Sequence, residues 1–190
     1  MTEEYFNRNI RIDDEGRYEV SLPWIEGHPP LPNGRKVPER RLKKCTDSLK
    51  KSGNLEGYET VLNEWLQEGI IEEVAVSRET EAEYFLPHRA VIKVNLTTGI
   101  RPVFDASSRE KGSPSINDCL EKSPNLVELI PSINNRFCLK KIGVISDIRK
   151  AFLQISLNKN DRPFFRFLWW KAGNPKKLKK FPTPKSCFWT

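Results

Sequence analysis

Histidine and cysteine are scarce in this chain, long apolar runs are missing, and no acidic residue follows Asp161. Cys45, Cys119, Cys138 and Cys187 are scattered without a Cys-x-x-Cys pair, and His28 and His88 are the only histidines. That set argues against a structural zinc site and for reduced thiols in an intracellular compartment, cytoplasm or nucleus. No apolar stretch approaches the roughly 18 residues a membrane span needs, so no membrane partner is expected. Met1-Thr2-Glu3-Glu4-Tyr5 has neither a basic nor an apolar stretch, which predicts a chain that is not secreted. Internal repeats are also lacking.

What is present suits a polar globular protein. With 190 residues and 37% hydrophobic content the chain can bury a core of one domain or two lobes. Thirty-two Lys and Arg stand against 25 Asp and Glu, a net charge of +7 that favours a polyanionic partner. Arg162, Arg166, Lys171, Lys176, Lys177, Lys179, Lys180 and Lys185 fill the stretch without acids, where a phosphate backbone is a plausible target. An unpacked basic tail explains the same residues as readily.

Punctuation and periodicity divide the chain. Leu22-Pro23-Trp24 and the segment His28 to Gly34 predict an extended lead-in over 1–35. Leu42, Cys45 and Leu49 predict a helix over 38–51 ended by Gly53. Tyr58, Leu62 and Trp65 predict a second over 54–67 closed by Gly69. Strands are expected at 84–94 and 100–105, forming a hairpin, and a helix is expected at 125–137, bent or restarted at Pro131. Val144 and Ile145 then read as a buried strand ending at Asp147, with a further apolar strand near 164–170. Residues 171–190 lose the hydrophobic rhythm, which predicts a disordered basic tail.

The run Val144-Ile145-Ser146-Asp147-Ile148-Arg149-Lys150-Ala151-Phe152 says most about chemistry. A carboxylate at a strand end, with the Ile148 carbonyl beside it, offers the oxygen ligands that Mg2+ takes. By residue type alone Asp147 is more readily a helix cap, Phe152 a core aromatic, and Lys93 and Arg101 solvated strand charges. His88, after Pro87 in an apolar strand, reads as a structural hydrogen-bonding residue. Asp105 lacks the Asp-Ser/Thr-Gly context of an aspartic protease, because Ala106 follows it.

An Asp with an aromatic five residues later resembles the first catalytic motif of reverse transcriptases. Tyr84 to Lys93, Arg101 to Ser107, Asp161-Arg162 and Phe167-Leu168-Trp169 resemble, in order, the blocks flanking that motif in BEL/Pao-type LTR retrotransposon polyproteins. Gly16 to Val20 with Leu22-Pro23-Trp24 resembles the entry to the same region, so the resemblance runs from about residue 5 to about 170.

The resemblance implies an α+β fold, a partial right-hand polymerase with a fingers-like lobe over 36–123 and the start of a palm over 124–170. It implies RNA-directed DNA polymerisation with Mg2+ as cofactor and an RNA or DNA template-primer and dNTP as partners. Asp147 would be catalytic and, with Ile148, a metal ligand. Arg101, Lys93, Phe152 and Ile148 would bind the dNTP, Phe152 leaving no room for a ribose 2′-hydroxyl. Two metals need carboxylates from at least two strands, and no Asp-Asp pair follows Asp147. The chain is therefore expected to be an inactive N-terminal fragment, the alternative being a non-catalytic basic nucleic-acid-binding remnant. The family has an Arg where Trp170 stands and a Phe-Gly block further on. One back-translation of Ser186 to Thr190, read a base later, gives Val-Val-Phe-Gly-Leu, which predicts a frameshift there.

Overall fold

Two helices form the framework, and their sequences say where they stop. In the computed structural model α2 spans Lys36–Lys51 and α3 spans Leu55–Gln67, preceded by a short α1 at Thr2–Asn9. The structure describes residues 2–14, 16–32, 34–73, 84–92, 99–122, 126–139, 141–144, 146, 151–171 and 174–181. Both long helices end in the same way. Gly53 and Gly69 take positive φ, and the amides of Asn54 and Ile70 reach back to the carbonyls of Leu49 (2.9 Å) and Trp65 (2.8 Å). Only a residue without Cβ adopts that turn without strain, so glycine sets each boundary.

The strands make three small sheets. β1 (Arg11–Ile12) pairs antiparallel with β2 (Tyr18–Val20), which pairs in parallel with β5 (Ile155–Leu157). β3 (His88–Ile92) and β4 (Ile100–Phe104) form an antiparallel hairpin. β6 (Phe167–Lys171) and β7 (Asn174–Phe181) form another antiparallel pair. A one-turn α4 (Ile116–Cys119) begins with a capping box in which Ser115 and Asp118 satisfy each other's amides. The chain then makes a 3-10 turn over Leu126–Leu129 and restarts as α5 (Ile130–Cys138), with Pro131 in the first turn, where its missing N–H is harmless. The protein is thus a mixed α and β fold.

One core joins most of these parts, and α5 has no residue buried in it. Leu42, Tyr58, Leu86, Phe104, Phe167 and Leu168 are all almost fully buried in it. Contacts cross the divisions drawn at residues 35 and 123. β2 pairs with β5, and Phe85 bridges to Arg166. The buried Asp161 carboxylate accepts the Leu22 amide and the Trp24 indole N–H, both at 2.8 Å. Tyr5 donates to the Leu22 carbonyl at 2.7 Å, and burial raises its pKa.

Three expectations need correction. Residues 2–9 are helical rather than extended: Glu4 lies near the N-terminal end and Arg8 in the last turn, which suits the helix dipole. Residues 174–181 are a strand rather than a disordered tail. Lys and Pro typify exposed sheet edges, and Lys176 and Pro175 stand in a strand whose described partner is β6. Val144 is 82% exposed and outside any strand. β-branched residues favour a pleated, half-buried surface, and among the described residues no strand pairs there.

Candidate functional site

The β3–β4 hairpin separates its side chains by alternation. Arg89 stands opposite Val103, and Val91 opposite Arg101. Opposed residues share a face of the ribbon, so Arg89, Val91, Arg101 and Val103 line one side. Both arginines are exposed and both valines half-buried. The other side holds His88, Pro102 and Phe104, which are buried over α2 and α3.

His88 fixes this ribbon to the core. Its Nε2 lies 2.9 Å from the Leu168 carbonyl and its Nδ1 lies 2.7 Å from the Tyr58 hydroxyl. A carbonyl only accepts, so Nε2 carries the proton, and Tyr58 then donates to Nδ1. Tyr58, Phe104, Phe167 and Trp169 surround the imidazole with ring centroids between 5.4 and 5.9 Å away. Burial pushes the His88 pKa down to about 4, against the opposing pull of the Leu168 carbonyl. Burial also holds the Tyr58 phenol well above its ordinary range and raises the Cys45 thiol. A second buried relay lies alongside. The Trp170 indole donates to the Thr46 hydroxyl at 2.6 Å, which donates to the Leu42 carbonyl at 2.9 Å.

At the same end of the hairpin, the residue after β4 is tied to α2. Arg41 pairs with the Asp105 carboxylate, whose other oxygen accepts the Ser107 amide at 3.1 Å. Asp105 thus closes a turn. The histidine and this ion pair both hold the open end of the hairpin, where His88 faces Phe104, and two exposed arginines line one face of the ribbon. Guanidinium is the side chain suited to gripping phosphate oxygens at two points.

Arg101 therefore lies on an exposed ribbon face beside Arg89. Lys93, Asp147 and Ile148 lie outside the described residues. Phe152 falls in a 3-10 turn over Ala151–Gln154, and its side chain is outside those described. Among the described residues no three His, Cys, Asp or Glu are grouped to hold a metal ion. Arg89 was not singled out from sequence. The alternation His88, Ala90, Ile92 against Arg89, Val91, read with the same parity as Arg101, would have found it. No helix of the described residues is long and apolar enough to cross a membrane. No protein-family model matches this chain, and no curated protein is significantly similar to it.

Proposed function

We propose that this chain is the nucleotide- and template-engaging part of an RNA-directed DNA polymerase of the BEL/Pao retrotransposon kind. The observation that carries the reading is the outward pair of guanidinium groups, Arg101 and Arg89, on a hairpin anchored by His88. A ribbon held to the core at its open end and carrying two such groups is suited to the phosphates of an incoming dNTP. The ordered sequence blocks from Tyr84 to Trp169 support the same reading.

In this reading the Asp147 carboxylate and the Ile148 carbonyl would hold Mg2+. Both are the oxygen donors a hard cation takes, and the ion, when bound, would offset the triphosphate's negative charge. Arg101 orients the triphosphate, Lys93 assists from the neighbouring strand, and Phe152 lies beneath the sugar and excludes a 2′-hydroxyl.

The test is titration of Mg2+·dATP and Mg2+·ATP into the full chain, alongside a primer-extension assay. Arg101→Ala should weaken dATP binding at least about ten-fold, the scale of a lost charge-assisted phosphate contact. Phe152→Ala should narrow the preference for dATP over ATP. Equal binding by wild type and Arg101→Ala would refute the assignment. A second reading, a non-catalytic nucleic-acid-binding remnant, is favoured by the net charge of +7. It predicts salt-sensitive RNA or DNA binding with no selectivity for dNTPs.

A further inference from the structure

α2 has two faces of opposite character. Pro38, Leu42, Cys45, Thr46 and Leu49 are buried. At about 100° per residue, Lys36, Arg40, Lys43, Lys44, Asp47, Lys50 and Lys51 fall within an arc of roughly 120° on the opposite side. All seven are exposed. The other charges near this helix are matched, Arg35 by Glu39 at 3.3 Å and Arg41 by Asp105. Six cations and one anion thus share a single stripe, and among the described residues none of the six cations forms an ion pair.

A helix face that is merely solvated usually alternates signs at i, i+4 spacing. Here Lys36, Arg40 and Lys44 succeed one another at that spacing, while Lys43, Asp47 and Lys51 alternate, so the stripe keeps a large excess of positive charge. Each like-charge step destabilises the helix by a few tenths of a kcal/mol. Burial of the inner face and the Gly53 end turn hold α2 in place despite that repulsion.

We propose that this outer face of α2 docks the phosphate backbone of a nucleic acid. The stripe has no apolar or aromatic side chain, which disfavours both a lipid interface, where an apolar face must insert, and a protein partner, where buried aromatic anchors dominate. A 16-residue helix is about 24 Å long, and duplex of that length carries roughly a dozen phosphates. Contacts of this kind read charge and spacing, so binding is indifferent to base sequence and steeply salt-dependent. The inference rests on the nucleic-acid partner of the reading above. It assigns that partner to residues other than Asp147, Arg101 and the basic residues after Asp161.

The experiment is fluorescence anisotropy with labelled single-stranded RNA, single-stranded DNA and an RNA–DNA duplex of about 20 nucleotides, from about 50 to 300 mM KCl. One variant carries Lys43→Gln, Lys44→Gln, Lys50→Gln and Lys51→Gln, a second carries Lys176→Gln, Lys177→Gln and Lys179→Gln, and a third carries Asp47→Asn. The α2 variant should lose at least about ten-fold in affinity at low salt, and its log–log salt slope should shrink by about 3. Asp47→Asn should tighten binding about two-fold or more by removing the one anion in the stripe. If the α2 variant and Asp47→Asn bind like wild type while the β7 variant loses affinity, the α2 assignment is overturned and a nucleic-acid partner still stands. If wild type binds none of the three probes at low salt, both readings fall. Equal α2-dependent binding to phosphatidylserine vesicles would also overturn the proposal, in favour of a general anionic surface. Thermal melting separates loss of contact from loss of fold, and glutamine keeps helix propensity at these exposed positions.

Discussion

His88 shows how a single buried group can tie stability to pH. Its pKa is about 4 in the folded chain against 6.5 ordinarily, so between those values the unfolded chain binds the proton and the folded chain does not. The folded state keeps its full stability above about pH 6.5 and loses up to about 3 kcal/mol as pH falls through that window toward 4. The physical reason is steric as well as dielectric. A second proton on the ring would sit at Nδ1, where the Tyr58 hydroxyl already points its own. Comparing unfolding free energies of wild type and His88→Gln at several pH values checks this. The advantage of wild type at pH 7 should shrink toward pH 4, and curves that stay parallel would exclude the linkage.

Among the elements, the helix ends are the plainest case of sequence dictating geometry. At Gly53 an added Cβ would meet nothing within 4 Å, so only backbone strain opposes it. Gly53→Ala should therefore cost about 1 kcal/mol, measured by urea denaturation with an unchanged m-value. A cost near zero would mean that this turn is not what ends α2. The same two glycines, with Leu42, Tyr58 and Trp65 at helical spacing, made α2 and α3 legible in the sequence. The β3–β4 hairpin was legible too, because the turn-like segment Asn95 to Gly99 separates two apolar, β-branched runs. α1 was not, being short and lacking an apolar period, and its charge arrangement is a weak signal. β7 was missed because Lys and Pro deplete a central strand yet suit an edge, and only the neighbouring β6 reveals which applies. At the site, Arg101 could be read from its motif, whereas Arg89 needed the cross-strand register. The charge of α2 and its apolar side, Leu42, Cys45 and Leu49, were readable in the sequence, whereas the pairing of Arg41 with Asp105 was not.

At the scale of the whole molecule, the tertiary hydrogen bonds join distant parts of the chain. Leu22 and Trp24 bind Asp161, Tyr58 and His88 reach β6, and Thr46 meets Trp170. Elements linked in this way melt together, so far-UV circular dichroism and tryptophan fluorescence should give one coincident denaturation transition. A separate early transition for either probe would show that the lobes fold independently.

The Asp161 clamp has a consequence for synthesis. Its carboxylate leaves the ribosome 139 residues after the Leu22 amide it must receive. At roughly 5–20 residues per second that interval is on the order of ten seconds. Throughout it the segment holding Leu22 and Trp24 can pair with residues 119–121 once they are made, but not with its buried acceptor. A ribosome stalled before that carboxylate emerges would hold a nascent chain whose Leu22 amide and Trp24 indole still lack their acceptor.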